Sequence, residues 1–135
     1  MKTLITRRVT FCAGHRLYNP ELSQEENRTI FGDCANPGGH GHNYVLEVTL
    51  TGSIQPETGM VVNLKEMKEI ITRQIVDRVD HKNLNTDVDF MRGNIPTTEN
   101  FAARIWDILD AAFGGERLVR IVLHESENNK VEISR

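Results

Sequence analysis

Apolar Ile5, Val9, Phe11 and Ala13 alternate with Thr6, Arg8, Thr10 and Cys12, so residues 4–13 are expected to form a half-buried strand. Residues 14–43 show no sustained period. Within them, Ser23 followed by Glu26 has the spacing of a capping box and predicts a short helix running towards Phe31. Alternation resumes at Tyr44, Leu46, Val48 and Leu50, predicting a second strand over 44–52. Gly52 to Gly59, with Pro56, reads as a turn leading to a short third strand at 60–62. Asn63 with Glu66 then has capping-box spacing. Leu64, Met67, Ile71, Ile75 and Val79 follow at helical spacing, which predicts an amphipathic helix over 64–78. A polar loop from Asp80 runs to Pro96. Thr98 is a suitable N-cap for a second long helix whose apolar face is Phe101, Ile105, Ile108, Leu109 and Ala112, with Gly114 and Gly115 stopping it. Residues 117–125 form a strand of mixed pattern, and Val131 and Ile133 mark a last short one.

This order of strands, helix, helix, strands predicts an α+β fold, with helices packed on one face of an antiparallel sheet. With no repeat or linker in the chain, residues 1–135 are expected to form a single domain with one core. Open sheet edges make self-association a natural outcome. The formal net charge of −3 supplies no basic footprint for nucleic acid or an anionic membrane. Two cysteines, Cys12 and Cys34, are too few for a disulfide scaffold and fit free thiols in a reducing cytoplasm. No apolar leader is evident at residues 1–8, and no apolar run approaches the ~20 residues of a membrane span.

The chemistry concentrates in Cys34-Ala35-Asn36-Pro37-Gly38-Gly39-His40-Gly41-His42-Asn43. In extended chain, residues i and i+2 share a face, so His40 and His42 aim at one point. His15 lies at the end of the first strand. Three neutral imidazoles meeting with no fourth protein ligand describe an open zinc site, although a lone histidine is more often just a satisfied polar group. Cys34 reads three ways: a buried small hydrophobe, a thiolate base near the metal, or a fourth ligand that closes the site. Asp80-His81 is either a helix C-terminus capped by imidazole or a carboxylate-oriented proton relay. Glu125 is either a solvent-facing strand end or an anchor for a pair of donors. Thr97, Thr98 and Glu99 are fully explained as a helix cap.

Taken together, Ala13-Gly14-His15-Arg16-Leu17, the stretch from Cys34 to Asn43, Thr58-Gly59-Met60-Val61-Val62-Asn63, Asp80-His81-Lys82-Asn83-Leu84, Thr97-Thr98-Glu99-Asn100 and Glu125 resemble the 6-pyruvoyl-tetrahydropterin synthase family. The matching pieces occur in order along nearly the whole chain. The resemblance implies the tunnelling fold: a four-stranded antiparallel sheet with two helices on one face, three subunits closing a barrel, and two such rings stacked as a hexamer. It implies zinc on His15, His40 and His42. It implies proton transfer by Cys34, Asp80 and His81, with the last two reaching a neighbouring subunit's site. It also implies a pterin held by Glu125 and lined by Thr97, Thr98 and Glu99. The implied substrate is 7,8-dihydroneopterin triphosphate, converted by loss of triphosphate and internal redox isomerisation in tetrahydrobiopterin biosynthesis. The 6-carboxy-tetrahydropterin synthases of queuosine biosynthesis are the nearest alternative; the Cys-x5-His-x-His spacing fits the pyruvoyl branch better. A zinc-stabilised structural module is the alternative of another class.

Overall fold

The computed structural model describes residues 1–135. Strand β1 (Thr3–His15) is followed by helix α1 (Gln24–Phe31), a 3-10 turn (Gly32–Ala35) and strand β2 (His40–Gly52). Helix α2 (Leu64–Ile71) passes through a π turn (Thr72–Val76) into α3 (Asp77–Val79). Then come the two-residue strand β3 (Lys82–Asn83), a 3-10 turn (Asp89–Met91), helix α4 (Thr98–Phe113) and strands β4 (Leu118–His124) and β5 (Lys130–Ser134). The sheet order is β3-β1-β2-β4-β5, antiparallel except for the parallel β1–β3 pair.

The sheet therefore has five strands and is mixed, where four antiparallel strands were expected. The extra strand is the edge segment after α3: His81 N–H donates to the Cys12 carbonyl and Leu84 N–H to the Gly14 carbonyl. The short strand expected at 60–62 does not form; Val61 and Val62 are in a bend and Met60 is irregular. Both long strands also extend further towards the glycine-rich stretch than alternation showed. β1 and β2 pair continuously from Thr3 opposite Gly52 to His15 opposite His40. Pairing across Gly14 and Gly41 continues the ladder where side-chain alternation gives no signal.

The core forms between the helices and one sheet face, where Phe11, Ala13, Tyr44, Leu46, Val48 and Ile121 meet Met67, Ile71, Ile75, Phe101, Ile105 and Leu109. Along 64–79 the buried residues are Met67, Ile71, Ile75 and Val79, each four apart. At 3.6 residues per turn that stripe would drift about 40° per step. The wider π turn at Thr72–Val76 takes up part of the drift and keeps the stripe on the sheet. The Ser23–Glu26 capping box forms as expected, with both reciprocal bonds present. At Asn63 the expected box does not form: its side chain caps the helix by accepting from Lys65 N–H, and Glu66 takes no part. No helix is long and apolar enough to cross a membrane.

Candidate metal centre and active site

The register that places His15 opposite His40 also places Ala13 opposite His42. His15, His40 and His42 all project to the helix side of the sheet, past the end of the Tyr44–Leu46 row. Their donor nitrogens lie within 4.8 Å of one another. His15 is 1% exposed. Its Nδ1 sits 2.8 Å from the Pro96 carbonyl, an acceptor only, so Nδ1 carries the proton and Nε2 presents a lone pair. That Nε2 lies 3.0 Å from His40 Nε2. His42 Nε2 is buried without any hydrogen-bond partner. Burial lowers the pKa of His15 and of His42, keeping both rings neutral. Convergent neutral imidazoles, one orphaned and one held in the ligating tautomer by a backbone carbonyl, fit a borderline-soft divalent cation.

Glu125 faces this group, with Oε2 3.9 Å from His15 Nε2 and Oε1 3.9 Å from His42 Nε2. The Thr98 hydroxyl donates to Glu125 Oε2 at 2.6 Å. That contact follows from a shift at the helix start. Thr97, not Thr98, is the N-cap, accepting from Asn100 N–H, so Thr98 becomes the first helical residue and its hydroxyl is free for Glu125. Glu99, in the first turn of α4, is exposed. Tyr44 stacks on Phe11 at 5.3 Å and lies edge-on to His42 at 5.7 Å, forming the floor of the centre. Its buried hydroxyl has no partner, and burial raises its pKa. Neither Tyr44 nor the Pro96 carbonyl stood out in the sequence: one reads as an ordinary strand apolar position, and the other contributes a backbone atom 81 residues from His15.

Asp80 and His81 form a pair, His81 Nδ1 to Asp80 Oδ1 at 3.0 Å. Both are tied to β1, since Cys12 N–H donates to Asp80 Oδ1 and the Cys12 carbonyl accepts from His81 N–H. The Cys12 bond is the main reason that the Asp80 pKa is lowered. His81 has φ +61°, a left-handed backbone that turns its ring outward, and its side chain is 80% exposed. Within one chain the sulfur beside this pair belongs to Cys12. Cys34, half-buried in the 3-10 turn, belongs to neither cluster.

The family model for 6-pyruvoyl tetrahydropterin synthase matches residues 4–135. The chain belongs to this family. It is 46% identical over 127 residues to the 6-pyruvoyl tetrahydrobiopterin synthase of Homo sapiens, covering 94% of this chain and 88% of the relative. The 6-pyruvoyl tetrahydropterin synthase structure from Caenorhabditis elegans superposes with a TM-score of 0.93 at 34% identity, over 100% of this chain and 96% of that one. A putative 6-carboxy-5,6,7,8-tetrahydropterin synthase from Archaeoglobus fulgidus is 35% identical over 96 residues, 71% of this chain and 76% of the relative.

Proposed function

We propose that the chain is a zinc-dependent 6-pyruvoyl-tetrahydropterin synthase, a cytoplasmic carbon–oxygen lyase. It converts 7,8-dihydroneopterin triphosphate into 6-pyruvoyl-tetrahydropterin and inorganic triphosphate. The carrying observation is the juxtaposition of three inward-facing imidazoles with a carboxylate anchored by the first turn of α4. His15, His40 and His42 hold the metal. When bound, zinc polarises the side-chain oxygens of the substrate and makes their protons easier to remove.

The remaining work falls to the protein. Glu125, its Oε2 oriented by Thr98, accepts the paired N–H donors at the amino-pyrimidine edge of the pterin. Thr97 and Glu99 complete the wall at the start of α4. Cys34, as thiolate, removes the carbon-bound proton. Asp80 holds the proton of His81 on Nδ1, leaving Nε2 free to exchange protons with the thiol and with substrate. Because Asp80-His81 points outward and Cys34 lies elsewhere in the same chain, the working site is completed by a neighbouring subunit, within a hexamer built as a dimer of trimers. One further feature supports assembly: β5 ends the sheet with an unpaired edge.

Incubation with 7,8-dihydroneopterin triphosphate and mass analysis of the product tests the reading. The pyruvoyl product with triphosphate is expected. A carboxy product with acetaldehyde assigns the chain to the carboxy branch, and zinc without turnover makes it a structural module.

A further inference from the structure

Arg16 is half-buried and held on several sides. Its backbone N–H donates to Asn85 Oδ1 at 2.7 Å, and its carbonyl accepts from Asn85 Nδ2 at 2.9 Å. Its Nε–H donates to the Ala35 carbonyl at 2.8 Å, and its guanidinium carbon lies 3.9 Å from the centre of the Tyr18 ring. These contacts use Nε and one guanidinium face, and leave both Nη groups without a protein acceptor. Unlike Arg28, Arg78, Arg104 and Arg135, and like the six remaining arginines, Arg16 pairs with no carboxylate; what sets it apart is its fixed position on a cleft.

The guanidinium borders a cleft of about 410 Å³ in which Arg16 is the only charged side chain. Asn83, Asn85, Thr86 and Asn94 also line it, with the Asn85 amide spent on the Arg16 backbone, the Thr86 hydroxyl on Asp87 and the Asn94 amide on the Arg92 carbonyl. The cleft shares its wall with the metal centre. Gly39, which precedes His40, lines it, and so does Pro96, whose carbonyl holds His15. A fixed cation with free donors and no carboxylate paired to it is complementary to a phosphate oxyanion, and the Asp87 carboxylate at the rim is held by Thr86 and the Asn83 N–H rather than by Arg16.

The geometry points to this cleft as the seat of the substrate's polyphosphate group, with Arg16 as its anion-binding residue. The inference rests on the proposed pterin triphosphate substrate, and it places the pterin and the phosphates on different sides of the three imidazoles. Lysine at position 16 keeps a charge but loses the planar fork, so it restores only part of the binding.

The test uses zinc-loaded protein and two probes, neopterin without phosphate and inorganic triphosphate, titrated calorimetrically with zinc content checked after each run. Arg16→Gln is expected to weaken triphosphate binding at least about tenfold, with Arg16→Lys intermediate and neopterin binding unchanged. Thr86→Glu, on the exposed rim, places a negative charge in the cleft without touching the arginine clamp. It should weaken triphosphate binding in the same direction while leaving thermal stability and neopterin binding unaltered. Arg28→Gln should change neither probe. Equal triphosphate affinity in the parent, Arg16→Gln and Thr86→Glu overturns the inference and leaves the pterin reading standing. Failure of the parent protein to bind either probe overturns both.

Discussion

His15 is fixed from both ends of its ring, with the Pro96 carbonyl on Nδ1 and His40 beside Nε2. Burial holds its pKa below the ordinary 6.5. Well above pH 6.5 the folded and unfolded chains are both neutral there. As the pH falls towards and through 6.5 the unfolded chain takes up the proton first, so the metal-free protein loses stability progressively as the pH drops. His42, also lowered by burial, adds in the same direction. Melting temperatures of the metal-free protein should fall between pH 7.5 and 5.5, and saturating zinc should blunt the fall; a flat profile would contradict this account. Glu125 behaves differently because it faces the imidazoles without belonging to them. Glu125→Gln should retain stoichiometric metal but bind neopterin roughly 10- to 100-fold more weakly, since it removes the charge from a paired hydrogen bond. Metal loss in that variant would move Glu125 into the ligand set. The pairing of His40 with His42 was legible from their i, i+2 spacing alone. The contribution of Pro96 was not, because a backbone carbonyl carries no residue signature.

At the level of elements, the centre exists because the β1–β2 ladder runs to its last rung. Gly39 turns the chain into β2 at φ +67°, and a Cβ there would stand 2.8 Å from the His15 carbonyl oxygen. Gly39→Ala must therefore push His40 away from His15, by strain and by collision. Metal affinity is expected to fall about 10- to 100-fold, the scale seen when groups supporting ligands are disturbed. Competition with a chelator measures it, and unchanged affinity would show that the final rung is dispensable. The same stretch shows why the strand boundaries differed from expectation. Gly14 and Gly41 contribute no apolar side chain to the alternation, so a paired ladder looked like loop. Helix 64–79 was legible from its apolar stripe, but the π turn within it was not, since the stripe's four-residue spacing only becomes informative once the sheet beneath it is known. β3 is set entirely by docking of residues 81–84 against β1, and two polar residues give no strand pattern of their own.

For the whole molecule, the decisive fact is a separation. The Asp80-His81 pair is prepared on one edge of β1, while Cys34 occupies the 3-10 turn before β2 and joins neither donor cluster. A single chain thus carries both halves of the proposed proton-transfer group without assembling them. In a ring of heterologous contacts each chain would give Asp80-His81 to one neighbour and receive it from the other. Cys34→Ala and His81→Ala homo-oligomers should each keep their zinc and lose most turnover. Co-assembled in equal amounts, the two variants place an intact Cys34 opposite an intact His81 at about one site in four, so about a quarter of parental activity should return. Mixing the same proteins without subunit exchange should return none. If the mixed oligomer stays as inactive as its parents, the site lies within one chain. Cys12, already beside Asp80 and His81, would then be the thiol to replace next.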